Sequence, residues 1–288
     1  MREPDYQRDG VTLYCGDCLD ILPELEAGIV DLVFGSPPYE DARTYGINFR
    51  LSGKAWVEWM VERWLEWDRV CKGLVAMVVE GRTKQFAYSA TPMRLAVALQ
   101  DAGLKLRKPP VFHRVGIPGS GGPDWLRNDY EFIICTSNGK LPWSDNTAMG
   151  HEPKYPPGGA PSHRMTATRG SRNGDTRVEK AVYRPPRKAN PGNVIHCKVG
   201  GGLMGSPLAH ANEAPFPEAL AEFFVRSFCP PGGIVLDPFS GSGTTAAAAI
   251  KAGRRAIGID VRESQAELSQ RRVEAAMNET PLFSGLTE

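Results

Sequence analysis

The sequence predicts a layered α/β fold with parallel strands, and three observations support that prediction. Short apolar runs typical of buried strands alternate with segments whose apolar residues recur every three or four positions, as in amphipathic helices. Glycine follows several of these segments, as at Gly35 and Gly253. A strand-helix-strand-helix unit covers residues 233–277. Strands separated by helices pair in parallel, and this alternation therefore indicates a layered sheet.

The elements of the first half follow one another regularly. The predicted strands cover residues 11–14, 29–34, 74–79 and 132–135, and the predicted helices cover 19–25, 54–72 and 91–102. The helix over 54–72 carries an apolar stripe at three- and four-residue spacing: Trp56, Trp59, Met60, Trp64, Trp67 and Val70. We assign the tryptophans of this stripe to the core. After residue 206 the alternation resumes, with helices over 217–228, 244–252 and 263–277 and strands over 233–236 and 255–259.

Composition narrows the class of protein. With 288 residues, 41% hydrophobic and 23% charged residues, the chain is typical of a folded globular protein rather than of a disordered or fibrous one. No apolar run is long enough to span a membrane and no export signal opens the chain, so we expect a cytoplasmic protein. The six cysteines are therefore expected to be thiols, including Cys15 and Cys18, and the five scattered histidines show no metal-ligand spacing.

The segment between residues 138 and 206 is irregular and basic. Proline and glycine interrupt it repeatedly, and from Arg164 to Lys188 it holds eight Lys or Arg residues against two acidic ones. A solvated loop is the plain interpretation. Clustered positive charge also suits the phosphates of nucleic acid. The candidate DNA-binding residues are Arg164, Arg169, Arg172, Arg177 and Arg184.

A glycine-rich turn lies between the strand over 233–236 and the helix over 244–252. Its residues 241–246 fit the pattern G-x-G-x-x-A, in which glycines let the chain turn tightly and let a ligand approach the backbone. Asp260 ends the following strand, where a carboxylate accepts hydrogen bonds from ribose hydroxyls. This context predicts a nucleotide-type cofactor, and it does not separate NAD from S-adenosylmethionine (SAM).

A second motif separates these cofactors. Ser36, Pro37, Pro38 and Tyr39 directly follow the strand over 29–34, at the edge of the sheet where α/β proteins bind ligands. An ordinary strand-to-loop turn would also explain them. Because proline lacks an N–H, however, the segment presents rigid acceptors. The Ser36 hydroxyl and the Pro37 carbonyl suit the two hydrogens of an exocyclic base amine, and Tyr39 suits its ring face.

The two motifs together resemble the catalytic and SAM-binding motifs of β-class amino-group DNA methyltransferases, in which the catalytic motif comes first. The likeness extends to residues 16–19, 128–134 and 210–217. It implies a SAM-dependent methyltransferase (Rossmann-like) α/β sheet with helices on both faces, a permuted motif order and a small irregular target-recognition insert. The expected divisions are a catalytic half over 1–139, a target-recognition region over 140–205 and a SAM-binding half over 206–288.

The resemblance also implies roles for individual residues. SAM would be the methyl donor, with no metal, and double-stranded DNA the partner, its target base flipped out of the duplex. The residues implied in SAM binding are Asp17, His210, Asp237, Pro238, Phe239, Gly241, Gly243, Thr244 and Asp260. Asp17 would contact the SAM adenine, although a helix N-cap explains it equally well. A homodimer and a cognate restriction endonuclease stay open.

Several alternatives are kept. An NAD-dependent oxidoreductase would explain the glycine turn but leaves residues 36–39 without a role, and a catalytically silent DNA-binding module would explain the basic insert alone. Within the methyltransferase interpretation, Ser36 in place of Asp or Asn favours the N4 amine of cytosine over the N6 amine of adenine. Residues 40–53, which lack a periodic pattern, are expected to be a lid or a static surface loop.

Overall fold

The computed structural model describes residues 2–41, 49–117, 121–122, 124–154, 187–200, 202, 204–212 and 214–279. All five candidate DNA-binding arginines lie outside these residues, as do most of the predicted lid, residues 42–48, and the greater part of the predicted insert, residues 155–186.

Eleven strands and six α-helices are present in the described residues. The strands are β1 (Tyr6–Arg8), β2 (Val11–Cys15), β3 (Val30–Gly35), β4 (Cys71–Val79), β5 (Thr83–Lys84), β6 (Ala87–Tyr88), β7 (Val111–Val115), β8 (Tyr130–Ser137), β9 (Val194–Lys198), β10 (Ile234–Asp237) and β11 (Arg255–Asp260). The helices are α1 (Cys18–Ile21), α2 (Gly53–Val70), α3 (Thr91–Asp101), α4 (Glu218–Phe228), α5 (Thr244–Lys251) and α6 (Glu263–Glu279).

Nine strands form one sheet in the order β1-β2-β11-β10-β3-β4-β8-β7-β9. The strands from β2 through β4 in this order are parallel, whereas β8 is antiparallel to both of its neighbours. β10 and β11 come from the end of the chain yet lie between β2 and β3. This permuted order places the loop after β3 beside the loop after β10, where ligands bind in open α/β sheets.

The helices cover both faces of the sheet, as predicted. Successive residues of β4 alternate between two core clusters: Leu74, Ala76 and Val78 belong to one, and Val75, Met77 and Val79 to the other. The first cluster includes residues of α4, α5 and α6, and the second includes residues of α1, α2 and α3. Each large apolar side chain buried in this way stabilises the fold by roughly 1.5–3 kcal/mol.

Three sheet strands are absent from the sequence prediction: β1, β7 and β9. β9 lies inside the stretch predicted to be irregular and pairs in parallel with β7 at the sheet edge. Its burial alternates, with Ile195 and Cys197 buried and Val194 exposed, so its signal is a period of two over only five residues. Within the described ranges, no helix is both long and apolar enough to cross a membrane.

Candidate active site

The two predicted motifs meet at the carboxyl edge of the sheet. β3 and β10 are paired in parallel, with Leu32 beside Val235 and Val33 beside Leu236. The loops that leave these strands begin at Ser36 and Pro238 and line one cavity of about 720 Å³. Its volume is in the range of ligand sites, roughly 300–1,000 Å³. Ser36, Pro37, Pro38 and Tyr39 all line this cavity, as do Asp17, Pro238, Phe239, Gly241 and Asp260.

Hydrogen bonds fix the catalytic tetrapeptide. The Ser36 hydroxyl donates to the main-chain oxygen of Val78 at 3.1 Å, and its contact with the Tyr39 hydroxyl is 3.3 Å. Trp56 Nε1 donates to the Pro38 carbonyl at 2.9 Å. The Val78 oxygen and Tyr39 Oη are both acceptors for the Ser36 hydroxyl, whose oxygen therefore keeps lone-pair capacity toward the cavity.

Five charged side chains that sequence reasoning did not assign to the site line the same cavity: Arg63, Glu80, Arg114, Glu131 and Arg262. Tyr39 Oη donates to Glu131 Oε2 at 2.8 Å, and Arg114 Nη1 pairs with Glu131 Oε1 at 3.0 Å. Burial raises the pKa of Glu80, and the neighbouring Glu131 adds to this effect. The one available signal was positional, since Glu80 directly follows β4 as Ser36 follows β3.

The glycine-rich turn is tied to the end of the neighbouring strand. Gly241 N donates to Asp260 Oδ2 at 2.9 Å, and Ser240 N donates to the Ile259 carbonyl at 2.8 Å. Gly241 and Gly243 have φ values of 49° and 76°, a left-handed conformation that favours glycine. A Cβ on Gly241 would lie 2.7 Å from Asn212 Nδ2, so the turn is built for close backbone approach.

A buried arginine from α6 supports this turn from behind. Arg272 Nη1 donates to Ser242 Oγ at 3.1 Å and to Thr244 Oγ1 at 2.8 Å, and Arg272 Nη2 pairs with Glu218 Oε2 at 3.0 Å. Arg272 is 1% exposed. Arg272 lies four residues after Leu268 and four before Ala276, so helical periodicity assigns it to the buried face of α6, whereas the adjacent Arg271 is exposed.

The acidic residues at the cofactor side are already engaged within the protein. Asp260 Oδ1 accepts from both N and Nε of Arg262, which leaves acceptor capacity mainly on Oδ2. Asp17 caps α1 by accepting from Leu19 N at 2.9 Å, and it also pairs with Arg63 Nη2 at 2.9 Å. Asp17 therefore both caps α1 and lines the cavity.

Aromatic rings form one wall between the two loops. Trp59 is stacked on Phe239 with ring centroids 5.7 Å apart, and the Arg63 guanidinium lies 4.0 Å from the Trp59 ring centre. Trp56, Trp64 and Trp67 are fully buried, as the core assignment predicted. Trp59 departs from that assignment because it is only partly buried and lines the cavity.

Four predicted cofactor residues do not line the cavity. His210 lies in a short 3-10 turn, Pro207–Ala211, and its side chain is exposed, whereas Asn212 two residues later lines the cavity. With three residues per turn, side chains two positions apart in a 3-10 turn point to different sides. Asp237, Gly243 and Thr244 are buried behind the loop, where they shape it.

Asp237 is the most perturbed acid of the site. It is 2% exposed, and burial raises its pKa to about 7, with the nearby charge of Asp260 acting in the same direction. Its Oδ1 accepts from Phe239 N at 3.0 Å, which bends the chain into the glycine-rich turn. Cys18 is also buried, and burial raises its pKa to about 12, so this thiol is not a thiolate at neutral pH. Among the described residues, no cluster of three or more metal-ligating side chains is found.

The donor set and the space fit SAM. Carboxylates at the ends of two neighbouring strands, an aromatic wall and a turn without Cβ atoms suit a nucleoside joined to an amino acid. Beside them lies the tetrapeptide of residues 36–39, which hydrogen bonds hold in place. The fold and the cavity together match those of a SAM-dependent methyltransferase.

The comparisons with known proteins establish the family. A family model described as DNA methylase matches residues 30–271, and the chain therefore belongs to the N4/N6 amino-group DNA methylases. Membership in this family rules out the two alternatives considered from the sequence, an NAD-dependent oxidoreductase and a catalytically silent DNA-binding module. The chain is a SAM-dependent DNA methyltransferase, as the motif order predicted.

Individual relatives are distant but cover nearly the whole chain. Type II methyltransferase M.ScaI of Streptomyces caespitosus is 28% identical, over 96% of this chain and 85% of its own length. DNA adenine methyltransferase YhdJ of Escherichia coli (strain K12) is also 28% identical, over 94% of this chain and 85% of its own length. The solved PvuII DNA methyltransferase (cytosine-N4-specific) shares the fold with a TM-score of 0.69 at 19% identity, covering 96% of this chain and 95% of that one.

Proposed function

We propose that this enzyme methylates the exocyclic N4 amine of cytosine in a specific DNA sequence, after the base has been flipped out of the duplex. The observation that supports it is the hydrogen bond from Ser36 Oγ to the Val78 carbonyl, 3.1 Å long. The one hydrogen of the hydroxyl is directed to acceptors inside the protein, the Val78 carbonyl or Tyr39 Oη. Ser36 is thereby an acceptor toward an amine and not a donor.

SAM, when bound, would supply an electrophilic methyl group on a sulfonium, and its sulfur would leave with the electron pair of the S–CH3 bond as a neutral thioether. The amine of a nucleobase is a weak nucleophile because its lone pair is delocalised into the ring. Two acceptors, Ser36 Oγ and the Pro37 carbonyl, hold its two hydrogens and turn the lone pair toward the methyl group. The nitrogen is cationic after transfer and therefore strongly acidic, so water takes the proton and no strong base is required of Ser36.

Tyr39 is proposed to stack on the flipped base, a contact worth about 1–3 kcal/mol. Glu131 accepts from the Tyr39 hydroxyl at 2.8 Å, and Arg114 neutralises that carboxylate. This chain of contacts holds the ring orientation across the cavity. Glu131 is therefore proposed as a positioning residue that acts through Tyr39.

SAM is proposed to lie between the glycine-rich turn and the Trp59–Phe239 wall, within reach of Asp17 and Asp260. Because Asp260 also holds Gly241 N and Arg262, its removal would loosen the turn as well as remove a ligand contact. The target-recognition role of residues 140–205 and of the five arginines within 155–186 is likewise a proposal.

Cytosine is preferred because serine stands first in the tetrapeptide and because the PvuII enzyme, which shares the fold, is described as cytosine-N4-specific. Adenine N6 is the second candidate because the Escherichia coli relative is named an adenine methyltransferase. Plasmid DNA methylated by the enzyme and digested to nucleosides tests the choice. N4-methylcytosine is expected, and N6-methyladenine without N4-methylcytosine would overturn the base assignment alone.

A further inference from the structure

A small hairpin beside the active site has an unusual turn. β5 and β6 pair Thr83 with Tyr88 and Lys84 with Ala87, which leaves Gln85 and Phe86 as the two turn residues. Their φ values are 50° and 62°. Two-residue hairpin turns with positive φ at both positions strongly favour Asn-Gly, so turn propensity does not explain a bulky aromatic residue here.

Phe86 is also the most exposed large apolar side chain in the described part of the chain, at 82%. A phenylalanine with so little buried surface contributes almost no hydrophobic stabilisation to the folded chain. Lys84, exposed on the same hairpin, adds positive charge next to it. An aromatic ring can insert between stacked bases of DNA, and a neighbouring lysine can pair with the phosphates that flank them.

The hairpin is fastened to the wall of the catalytic cavity. Tyr88 Oη donates to Glu80 Oε1 at 2.7 Å, and Glu80 lines the cavity with Ser36. Arg82 N donates at 3.2 Å to Glu40 Oε1, and Glu40 directly follows Tyr39. Glu40 is buried and also receives the N–H of Gly53 at 2.9 Å. The tip is thus held on a rigid base at the rim of the cavity, only two residues from Tyr88.

We propose that Phe86 is a wedge that enters the base stack of the DNA duplex at the point where the target base leaves it. Base extraction breaks stacking and pairing, and an apolar side chain inserted at that step fills the gap. The proposal rests on the proposed function, since only a base-flipping enzyme needs such a wedge. It adds a role for a hairpin that does not touch the methyl transfer.

The test is single-turnover methylation of two duplexes that carry the target site identified by sequencing. In one the target base is correctly paired, and in the other it faces a mismatched base, which lowers the cost of extraction. Phe86→Ala is expected to slow methylation of the paired duplex by about 10- to 100-fold, the effect of losing one stacked aromatic ring. The mismatched duplex is expected to restore a rate close to that of the wild type.

A second variant separates the wedge from the stability of the hairpin. Phe86→Gly makes the turn conformationally easier but removes the ring, so it should show the same loss as Phe86→Ala. Leu65→Ala, which shortens an exposed apolar side chain on α2, serves as the matched control and should leave both rates unchanged. SAM affinity measured by calorimetry should be equal in all four proteins.

The outcomes are distinct. Wild-type rates for Phe86→Ala on the paired duplex, or equal losses on both duplexes, would overturn the wedge and leave the proposed function intact. Normal activity of Phe86→Gly would overturn it as well. If sequencing of DNA treated with the wild-type enzyme finds no methylated site, the proposed function fails and the wedge fails with it.

Discussion

Gly35 and Asp237 are so close together that a Cβ atom on Gly35 would lie 2.3 Å from Asp237 Oδ1. Gly35 is the last residue of β3 and Asp237 the last residue of β10, so their proximity joins the roots of the catalytic and cofactor loops. The side chain of Asp237 in turn holds Phe239 N. The absence of a side chain at position 35 is therefore a requirement of the cofactor site.

Gly35→Ala is expected to weaken SAM binding and to destabilise the fold by about 1–3 kcal/mol, the usual cost of overpacking. Asp237 would have to move, and the turn that it holds would move with it. Calorimetric SAM titration and denaturant unfolding measure the two effects. Gly122→Ala is the control, because no atom of the described residues lies within 4 Å of the added Cβ. Equal SAM affinity in both variants would contradict the prediction.

The stability of the SAM-free protein is expected to depend on the ionisation of Asp237. Its pKa is about 7 in the folded protein against 3.8 for an ordinary carboxyl. A raised folded pKa means that this group's stabilising contribution is full below the unfolded pKa and is lost as pH rises through 7. Asp237→Asn removes that dependence, so its stability relative to wild type should increase between pH 4 and 8, by roughly 4 kcal/mol at about 1.4 kcal/mol per pH unit.

Urea unfolding of both proteins across this pH range measures the difference. Asp145→Asn is the control, because Asp145 is exposed and hydrogen bonds from Thr147 lower its pKa. Its stability relative to wild type should not rise with pH. Parallel pH profiles for wild type and Asp237→Asn would show that Asp237 is not protonated in the folded state.

Ser36→Ala is expected to reduce the rate of methyl transfer by about 10- to 100-fold, corresponding to the loss of about 1.5–3 kcal/mol from one hydrogen bond to a charge-developing amine. SAM affinity should change little, because the serine faces the amine. Single-turnover rates and calorimetry separate the two. Ser36→Asp, which restores an acceptor, should retain part of the activity. A variant that lost SAM affinity and rate together would place Ser36 in the cofactor site instead.

Arg272→Met is expected to cost about 1–3 kcal/mol of stability, since the buried hydroxyls of Ser242 and Thr244 lose their donor, whereas Glu218 keeps its ion pair with Lys251 at 2.9 Å. SAM affinity should fall with it because the turn at Ser242 loses its support. Arg271→Met, one residue earlier and exposed, should change the unfolding free energy by about 0.5 kcal/mol or less. Similar losses in both variants would argue against a specific role for Arg272.

The role of the basic segment in DNA binding is tested by the dependence of DNA affinity on salt concentration. Replacement of Arg164, Arg169 and Arg172 by alanine should lower DNA affinity and reduce the slope of log affinity against log salt by about 0.9 for each phosphate that the variant no longer neutralises. Fluorescence anisotropy of labelled duplex at several salt concentrations measures it. An unchanged slope would mean that these three side chains do not contact phosphate.

Local pattern alone determined much of this protein. The apolar run that becomes β3, the helical stripe of α2 and the glycine stop after α5 depend on neighbours within a few residues, and both motifs could be placed at strand ends because strand ends are marked locally. The order of the tetrapeptide and the glycine-rich turn in the chain resembles that of β-class amino-group DNA methyltransferases, and this resemblance implied the class of enzyme before any tertiary contact was known.

The tertiary structure decided which distant residues meet. Ile234 N donates to Asp31 Oδ2 across 203 residues of sequence, and that pairing of β10 with β3 brings the two loops together. Arg272 rather than Arg271, and Trp59 rather than Trp64, face the site because of how their helices pack on the sheet. Local periodicity identifies a buried face, but only long-range packing determines what that face touches, which is why Glu131, Arg114 and the edge strand β9 were beyond prediction.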